Sequence, residues 1–536
     1  MKNHSWFILP VFAIGAFGLL STESQARNPP RGPDFDCDGF DDMALGVPFD
    51  DEVVTDGGGV NILYGTASGP DAPSMTTLRF DQDTSGIEGV AELEDLLGGA
   101  LAYGDFDGDG YDDLVAGVAG EGVGALSNAG SVNVLYGSSG GLSTAGDQIW
   151  YGDSTGITLY DSVASDQFGI EVAVGDFDGD GYDDLAITAN GYDAESVSSS
   201  GGVVIIYGGS AGLSASGHQI LHQGTSGLAG DGNQTSDFWG ESLATGDFDC
   251  DGYEDLAVAA PNEEITGSAG LSHGAVTVIY GSSGGLSTTG SQWWHQGVGA
   301  IEGAVESDYF GGSLAAGNFD GDSSSGFDCV DLAIGVPLEG VGADAANGSV
   351  NIIYGGTSGL SDSGDQILYQ GNGLAGSTAA DGEIGWRLTV GRFDSDSYDD
   401  LAVGANEADP GSSSSAGEVY LVKGSVSGLT SSGGVRWDAS TTDVPGTREA
   451  GDSWGWGLSY AAFEGDGGQH YLVVGAVGED GAQGAVSTIE LDSSNSSFDA
   501  LGGVEWKQDD IDGTVANNED FGYSMPAPRL KARCVN

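Results

Sequence analysis

The chain has 536 residues, and its 82 Asp and Glu outnumber its 13 Lys and Arg, for a formal net charge of −69. Such a balance excludes partners that need a basic face, nucleic acid and anionic lipid surfaces among them. Gly supplies 97 residues with no Gly-x-y period, and 10 Trp, 19 Tyr and 19 Phe leave enough apolar surface for a core, so the chain is neither collagen-like nor disordered.

At the N-terminus, Lys2 precedes an apolar stretch from Trp6 to Leu20, and Ser24-Gln25-Ala26 sets small residues at a cleavage point. This predicts a secretory leader over 1–26, short for a membrane span and interrupted by Pro10. The mature chain, 27–536, is expected to be exported as a monomer, secreted or held at the cell surface, without membrane insertion. Cys37, Cys250, Cys329 and Cys534 form an even set that reads as disulfides in an exported chain, with three connectivities open.

From Asp34 onward one unit recurs. DFDCDGFDDMALGVP starts at Asp34, DFDGDGYDDLVAGVA at Asp105, DFDGDGYDDLAITAN at Asp176 and DFDCDGYEDLAVAAP at Asp247, each 71 residues after the last. A fifth copy starts at Asn318 and carries an insertion before Val330-Asp331. Two worn copies follow, RFDSDSYDDLAVGAN from Arg392 and AFEGDGGQHYLVVGAV from Ala462. Each copy has four apolar runs. The first opens on an aromatic-Gly pair such as Phe168-Gly169, and the second follows the acidic loop. The third reads GSVNVLYG, Gly130 to Gly137, or a relative of it, and the last reads DQIWYG or a variant. Alternation, β-branched residues and Gly/Ser/Asn/Asp separators make these strands and turns. Four strands per unit and seven units predict an all-β, seven-bladed β-propeller with little helix.

The ends fit a closed ring. The first copy lacks its aromatic-Gly strand, and Phe521-Gly522-Tyr523-Ser524-Met525 supplies one at the C-terminus, removing an open sheet edge. Continuing that register puts Arg529, Lys531 and Arg533 beside the Asp34 loop. There they are expected to form an electrostatic latch, fixed by a Cys37–Cys534 bond, with Cys250–Cys329 joining neighbouring loops.

The loop D-x-D-x-D-G-x-x-D sets carboxylates at positions one, three, five and nine, a turn-permitting Gly at six and a backbone carbonyl at seven. Hard oxygen donors without His or Cys select calcium. Four sites are expected: Asp34, Asp36, Asp38, Phe40 and Asp42; Asp105, Asp107, Asp109, Tyr111 and Asp113; Asp176, Asp178, Asp180, Tyr182 and Asp184; and Asp247, Asp249, Asp251, Tyr253 and Asp255. Asn318, Asp320, Asp322 and Asp331 make a fifth. In the sixth loop Arg392 is expected to replace the ion, and the seventh keeps only Glu464 and Asp466. Position nine runs straight into a strand, with no Glu at twelve and no flanking helix, which separates the loop from an EF-hand.

These motifs resemble the FG-GAP repeats that form the head of integrin alpha chains. Phe310-Gly311, the loop from Asn318 and Gly335-Val336-Pro337 carry the pattern, and Ala260-Pro261 follows the fourth loop in the same way. The resemblance covers about residues 34 to 530. It implies a seven-bladed propeller with structural calcium loops on one face and partner binding on the other. The even spacing leaves no room for an inserted ligand domain, and leg domains and a cytoplasmic tail are not expected.

Gly137-Ser138-Ser139-Gly140-Gly141 fits G-x-S-x-G but leads to another strand instead of a helix, so it reads as a turn. His222 and His295 share their place with Tyr369 and read as packing residues. Asp50, Glu121, Glu263, Glu339 and Glu479, between second and third strands, suggest a ring of exposed carboxylates on the far side. The expectation is a calcium-binding extracellular adhesion or binding module without catalysis, its partner a protein or polysaccharide. The alternatives are a polysaccharide-binding or polysaccharide-processing surface protein and a passive surface component.

Overall fold

The computed structural model describes residues 30–529 apart from 52, 71–75, 158–162, 266–271, 298–307, 341–345, 377–381, 412, 464–468, 480–482 and 512–519. The leader at 1–26, the seventh-loop Glu464 and Asp466, and Lys531, Arg533 and Cys534 lie outside the described residues.

The acidic loop closes a hairpin at a fixed point in every complete repeat. Inner strands end on Gly104, Gly175, Gly246, Gly317 and Gly391, which pair with position-nine Asp113, Asp184, Asp255, Asp331 and Asp400 at the head of the second strand. Each blade then runs outward as a four-stranded antiparallel meander. Blade two, for example, comprises Leu97–Gly104, Asp113–Val118, Ser131–Tyr136 and Ser143–Tyr151. Second strands are buried along their whole length because both faces are covered by neighbouring blades, so they read as continuous apolar runs. Fourth strands, on the outer rim, are half exposed. Blade five adds a two-residue strand, Gly373–Leu374, and its loop insertion folds as a small hairpin. Helix is confined, among the described residues, to Ala194–Ser196, Gln508–Ile511 and Glu479. None of the helices described is long and apolar enough to cross a membrane.

The core lies between blades. One cluster joins Val132 and Val134 of blade two to Leu185, Ile187, Val204 and Ile206 of blade three. The cluster that closes the ring joins Met43, Leu45 and Val47 of blade one to Tyr471, Val473 and Val486 of blade seven, with Phe521 between. Blade one contributes Met43–Val47, Gly59–Leu63 and Thr77–Phe80, and Ser524 bridges Gly46 from its inner side. The C-terminal segment therefore takes the place of the missing inner strand, as the repeat register predicts.

Candidate functional site

Each acidic loop is built around its own backbone N–H groups. In the first, the Asp38 N–H reaches Asp34 Oδ1 and Asp36 Oδ1 at 3.1 Å, the Gly39 N–H reaches Asp34 Oδ2 at 3.1 Å, and the Phe40 N–H reaches Asp38 Oδ1 at 3.1 Å. Loops two and three repeat this pattern. The result gathers oxygens of Asp34, Asp36 and Asp42 within 4.8 Å of one another, and likewise Asp105, Asp107 and Asp113; Asp176, Asp178 and Asp184; and Asp247, Asp249 and Asp251. Positions one, three and nine thus converge in three loops, and positions one, three and five in the fourth.

Bringing these groups together is costly for their charged forms. Burial, with Asp38, Asp36 and Asp41 adding repulsion, pushes Asp34 up to about 6, while the Gly39 N–H opposes the shift. Burial takes Asp247 to about 7 in the same way, and raises Asp107, where Asp109 and Asp105 add to it. A set of crowded, partly buried carboxylate oxygens without His or Cys fits a hard divalent cation.

Position nine also has a structural duty that sequence spacing does not reveal. Asp113 Oδ2 accepts the Phe106 N–H at 2.9 Å and its Oδ1 accepts the Gly137 N–H at 2.8 Å, tying the loop to the end of the third strand. The same two-way clamp recurs at Asp42, Asp184, Asp255, Asp331 and Asp400. Gly137 must be glycine, because a Cβ there would stand 2.3 Å from the Asp112 carbonyl oxygen. At position seven the side chain covers the preceding loop: a Cβ on Gly108 would meet the Tyr182 ring at 2.4 Å, and one on Gly179 the Tyr253 ring at 2.5 Å.

The fifth and sixth loops differ. Asn318 turns its amide onto its own loop, donating to the Asp322 carbonyl and accepting from the Gly321 N–H, both at 2.8 Å. Asp320, Asp322 and Asp331 are not gathered as the other triads are. The sixth loop corrects the expectation for Arg392. Its Nε pairs with position-eight Asp399 at 3.1 Å, and its charge also favours the ionised form of Asp396. A different triad gathers here, Asp394, Asp396 and Asp400 at positions three, five and nine, and Lys423 meets it. The Lys423 ammonium lies 2.8 Å from Asp394 Oδ2, donates to the Ser496 carbonyl and sits 4.6 Å from the Phe498 ring centre.

Position eight, unremarked in the sequence, links the blades. The Asp34 N–H donates to Asp112 Oδ2 at 2.8 Å, Asp105 to Asp183 at 2.8 Å, Asp176 to Glu254 at 3.1 Å and Asn318 to Asp399 at 2.9 Å. The Ala462 N–H donates to Asp41 at 2.7 Å and joins blade seven to blade one. At the blade four–five junction position eight is Val330, and there Cys250 and Cys329 form a disulfide between the same two loops, Cα–Cα 4.8 Å. Arg529 corrects the expected latch beside the Asp34 loop: its guanidinium crosses to Asp183 at 2.7 Å and Glu254 at 3.2 Å. Its backbone pairs with Arg31.

The expected ring of exposed carboxylates near the axis is overturned. Asp50, Glu121, Glu263, Glu339 and Glu479 are all buried. Glu121 accepts from Gln82 Nε2 of the previous blade at 2.6 Å, and Gln223–Glu263 and Gln296–Glu339 repeat the contact. Asp50 pairs with Arg79, and Glu479 with Lys507. The Gln–Glu contacts stitch neighbouring blades together, and the Asp50 and Glu479 ion pairs lie within blades one and seven. The G-x-S-x-G segment is a turn, with Ser138 Oγ donating to the Gly141 carbonyl at 2.7 Å. His222 and His295 make local contacts, to Asn233 Oδ1 and the Gln296 carbonyl.

At the other end of the inner strands, the residues following the aromatic-Gly pairs form the mouth of the axial channel. Trp386, Trp456 and Tyr523 stand there beside Glu171, Glu241 and Arg387. The sequence signal was available in the one or two residues after the Gly of each such pair, Ile384-Gly385 included, but only the ring closure shows that these positions meet.

The FG-GAP repeat family matches residues 97–135, 168–207, 239–273 and 384–422. Among curated proteins, phosphatidylinositol-glycan-specific phospholipase D of Rattus norvegicus is 34% identical over 128 residues, 24% of this chain and 14% of that protein. The Mus musculus protein is 31% identical over 164 residues, 31% and 18% of the two chains, and the Homo sapiens protein 34% over 191, 35% and 20%. The matched segments thus span a fifth or less of those relatives. Among solved structures, the exotype rhamnogalacturonan lyase YesX aligns over 88% of this chain and 73% of its own, with 14% identity and a TM-score of 0.40. Rhamnogalacturonan lyase YesW gives 87%, 73%, 14% and 0.35. The expectation of a chain without catalysis is corrected by the curated relatives, which are enzymes by name.

Proposed function

We propose that the chain, an FG-GAP-repeat propeller of the integrin alpha-like kind, works outside the cell as a calcium-braced binding module for an extracellular protein or polysaccharide. The observation that carries this reading is the set of four carboxylate triads, each within 4.8 Å, at one edge of four consecutive blades. Calcium supplies two positive charges among such oxygens and accepts the irregular cage they form, where magnesium demands a stricter octahedron. Asp34, Asp105, Asp176 and Asp247 would hold it together with the position-three carboxylates; Asp42, Asp113 and Asp184 would share an oxygen between the ion and the backbone clamp. At millimolar calcium and a dissociation constant near 0.1 mM, each site stabilises the fold by on the order of 1–2 kcal/mol.

Extracellular placement is supported by the leader-like N-terminus and by the Cys250–Cys329 disulfide, which suits an oxidising compartment. With the acidic-loop edge committed to ions and blade joints, the opposite face is the one available to a partner. A second reading, a polysaccharide-binding or polysaccharide-processing surface protein, is favoured by the aromatic and carboxylate lining of the axial mouth on that face.

The test is depletion of the purified protein by cells and by matrix polysaccharides, with calcium and with chelator, against an unrelated protein of equal acidity. Selective, calcium-dependent depletion is expected. Calcium stabilisation without depletion by either material would overturn the binding reading.

A further inference from the structure

The axial mouth gathers aromatic and ionisable groups, one of which, Glu241, also accepts from Asn190 Nδ2 of the neighbouring blade at 2.8 Å. A cavity of about 250 Å³ opens there. On one side Trp386 and Trp456 lie with ring centres 5.8 Å apart, Trp456 and Tyr523 5.6 Å apart, and Phe49 packs edge-on to Tyr523 at 5.7 Å. The arc is held from below, since Arg387 Nε donates to the Trp456 carbonyl at 3.2 Å. Glu171, Glu241 and Arg387 complete the lining with carboxyl oxygens and guanidinium N–H groups. Tyr309 is hydrogen-bonded to Glu241.

Two details point to an occupant. The indole N–H of Trp456, which lines this cavity, is buried and has no partner within the protein. Burial pushes Glu171 up to about 7 even though Arg387 opposes the shift; Glu241 adds to it. A carboxyl near its midpoint can both donate and accept, as a hydroxyl-rich ligand requires. Apolar ring faces beside convergent polar groups are the usual make-up of a small-ligand site. The volume lies just below the range for drug-sized ligands, so it suits one ring-sized unit.

We propose that this mouth binds a pyranose unit of an extracellular glycan, its C–H face against Trp386, Trp456 and Tyr523 and its hydroxyls on Glu171, Glu241 and Arg387. This inference rests on the binding-module reading and gives it a ligand class. Two carboxyls against one guanidinium make neutral or amino sugars fit better than uronic acids, whose charge would meet Glu171 and Glu241.

The test uses the full calcium-loaded chain on an array of neutral, amino-sugar and uronic-acid oligosaccharides, followed by titration of retained sugars against tryptophan fluorescence. The wild type is expected to retain neutral or amino sugars with a fluorescence change. Trp386→Ala and Glu241→Gln are each expected to weaken retention at least tenfold, while the calcium-induced rise in melting temperature stays as in the wild type. Retention unaltered in both variants would overturn the site, and preference for uronic acids would overturn the charge argument. An array that retains no protein would overturn the sugar proposal alone. Depletion by cells in the assay above, after glycosidase treatment and by a protease-sensitive partner, would leave the binding-module reading standing.

Discussion

Asp113 and Asp107 sit in one loop and do different work. Asp113 holds two backbone N–H groups, at 2.9 and 2.8 Å, and burial pushes its carboxyl up to about 9. An amide at that place has one acceptor and must turn an NH2 toward a donor. Asp113→Asn is therefore expected to cost about 2 kcal/mol in chelator as well as in calcium. Asp107 accepts the Asp109 N–H at 3.1 Å, makes no clamp to the third strand and belongs to the triad. Asp107→Asn is expected to lower the melting temperature in calcium and leave it unchanged in chelator; equal losses under both conditions would show that the two residues share one role. Lys423 offers the complementary case. Lys423→Met removes the ammonium from a buried carboxylate and is expected to cost about 3 kcal/mol in chelator. Added calcium should recover part of that loss, because three gathered carboxylates are then left without the ammonium; a variant as stable as the wild type in chelator would contradict it.

At the scale of strands and loops, much was legible because each repeat is local. Aromatic-Gly, loop and Leu-Ala-Val follow one another along the chain, so the hairpin around Asp105–Asp113 and the four-strand meander could be read from spacing. The contacts between repeats could not. The Asp34 N–H and the Asp112 carboxylate are 78 residues apart, one repeat plus seven positions, and no pattern within a repeat marks position eight as a link. Lys423 escaped although it lies in the same repeat as the Asp394 it meets, because it ends the third strand, where the other blades have no cation. The Cys250–Cys329 pairing was legible because both cysteines stand in equivalent loops, yet its purpose emerges only beside Val330, where a carboxylate link is missing. Cys250 accepts a left-handed backbone, φ 58°, at a position where Gly108 and Gly179 stand in other loops, and Cys37 does the same at 55°. Replacing Cys250 and Cys329 together by Ser is expected to lower stability by about 4 kcal/mol, as a closed loop of this length implies. Urea unfolding at fixed calcium checks it, and a midpoint equal to that of the wild type would deny the staple its role.

Across the whole molecule, acidity is managed by giving carboxylates defined work: ion triads, blade links at position eight, and the Gln–Glu contacts on the far side. The last of these carry a pH signature. Burial pushes Glu121 up to about 7, the Gln82 amide opposing and Asp95 and Glu92 adding to the shift. A carboxyl raised in the fold gives its full stabilisation below its ordinary range and loses it as pH rises through the raised value. Between pH 5 and 8 the wild type should therefore lose stability that Glu121→Gln keeps. The two melting temperatures are expected to converge at pH 5 and the variant to lead at pH 8; a gap constant across that range would contradict the assignment.

The central claim is that calcium in the acidic loops braces the ring. Calcium titrated into chelator-stripped protein, with melting temperature followed alongside heat of binding, tests it most directly. The account predicts about four bound ions, one for each triad without a lysine, and a rise in melting temperature that equimolar magnesium does not match. Saturation without any rise, or no binding at millimolar calcium, would contradict it.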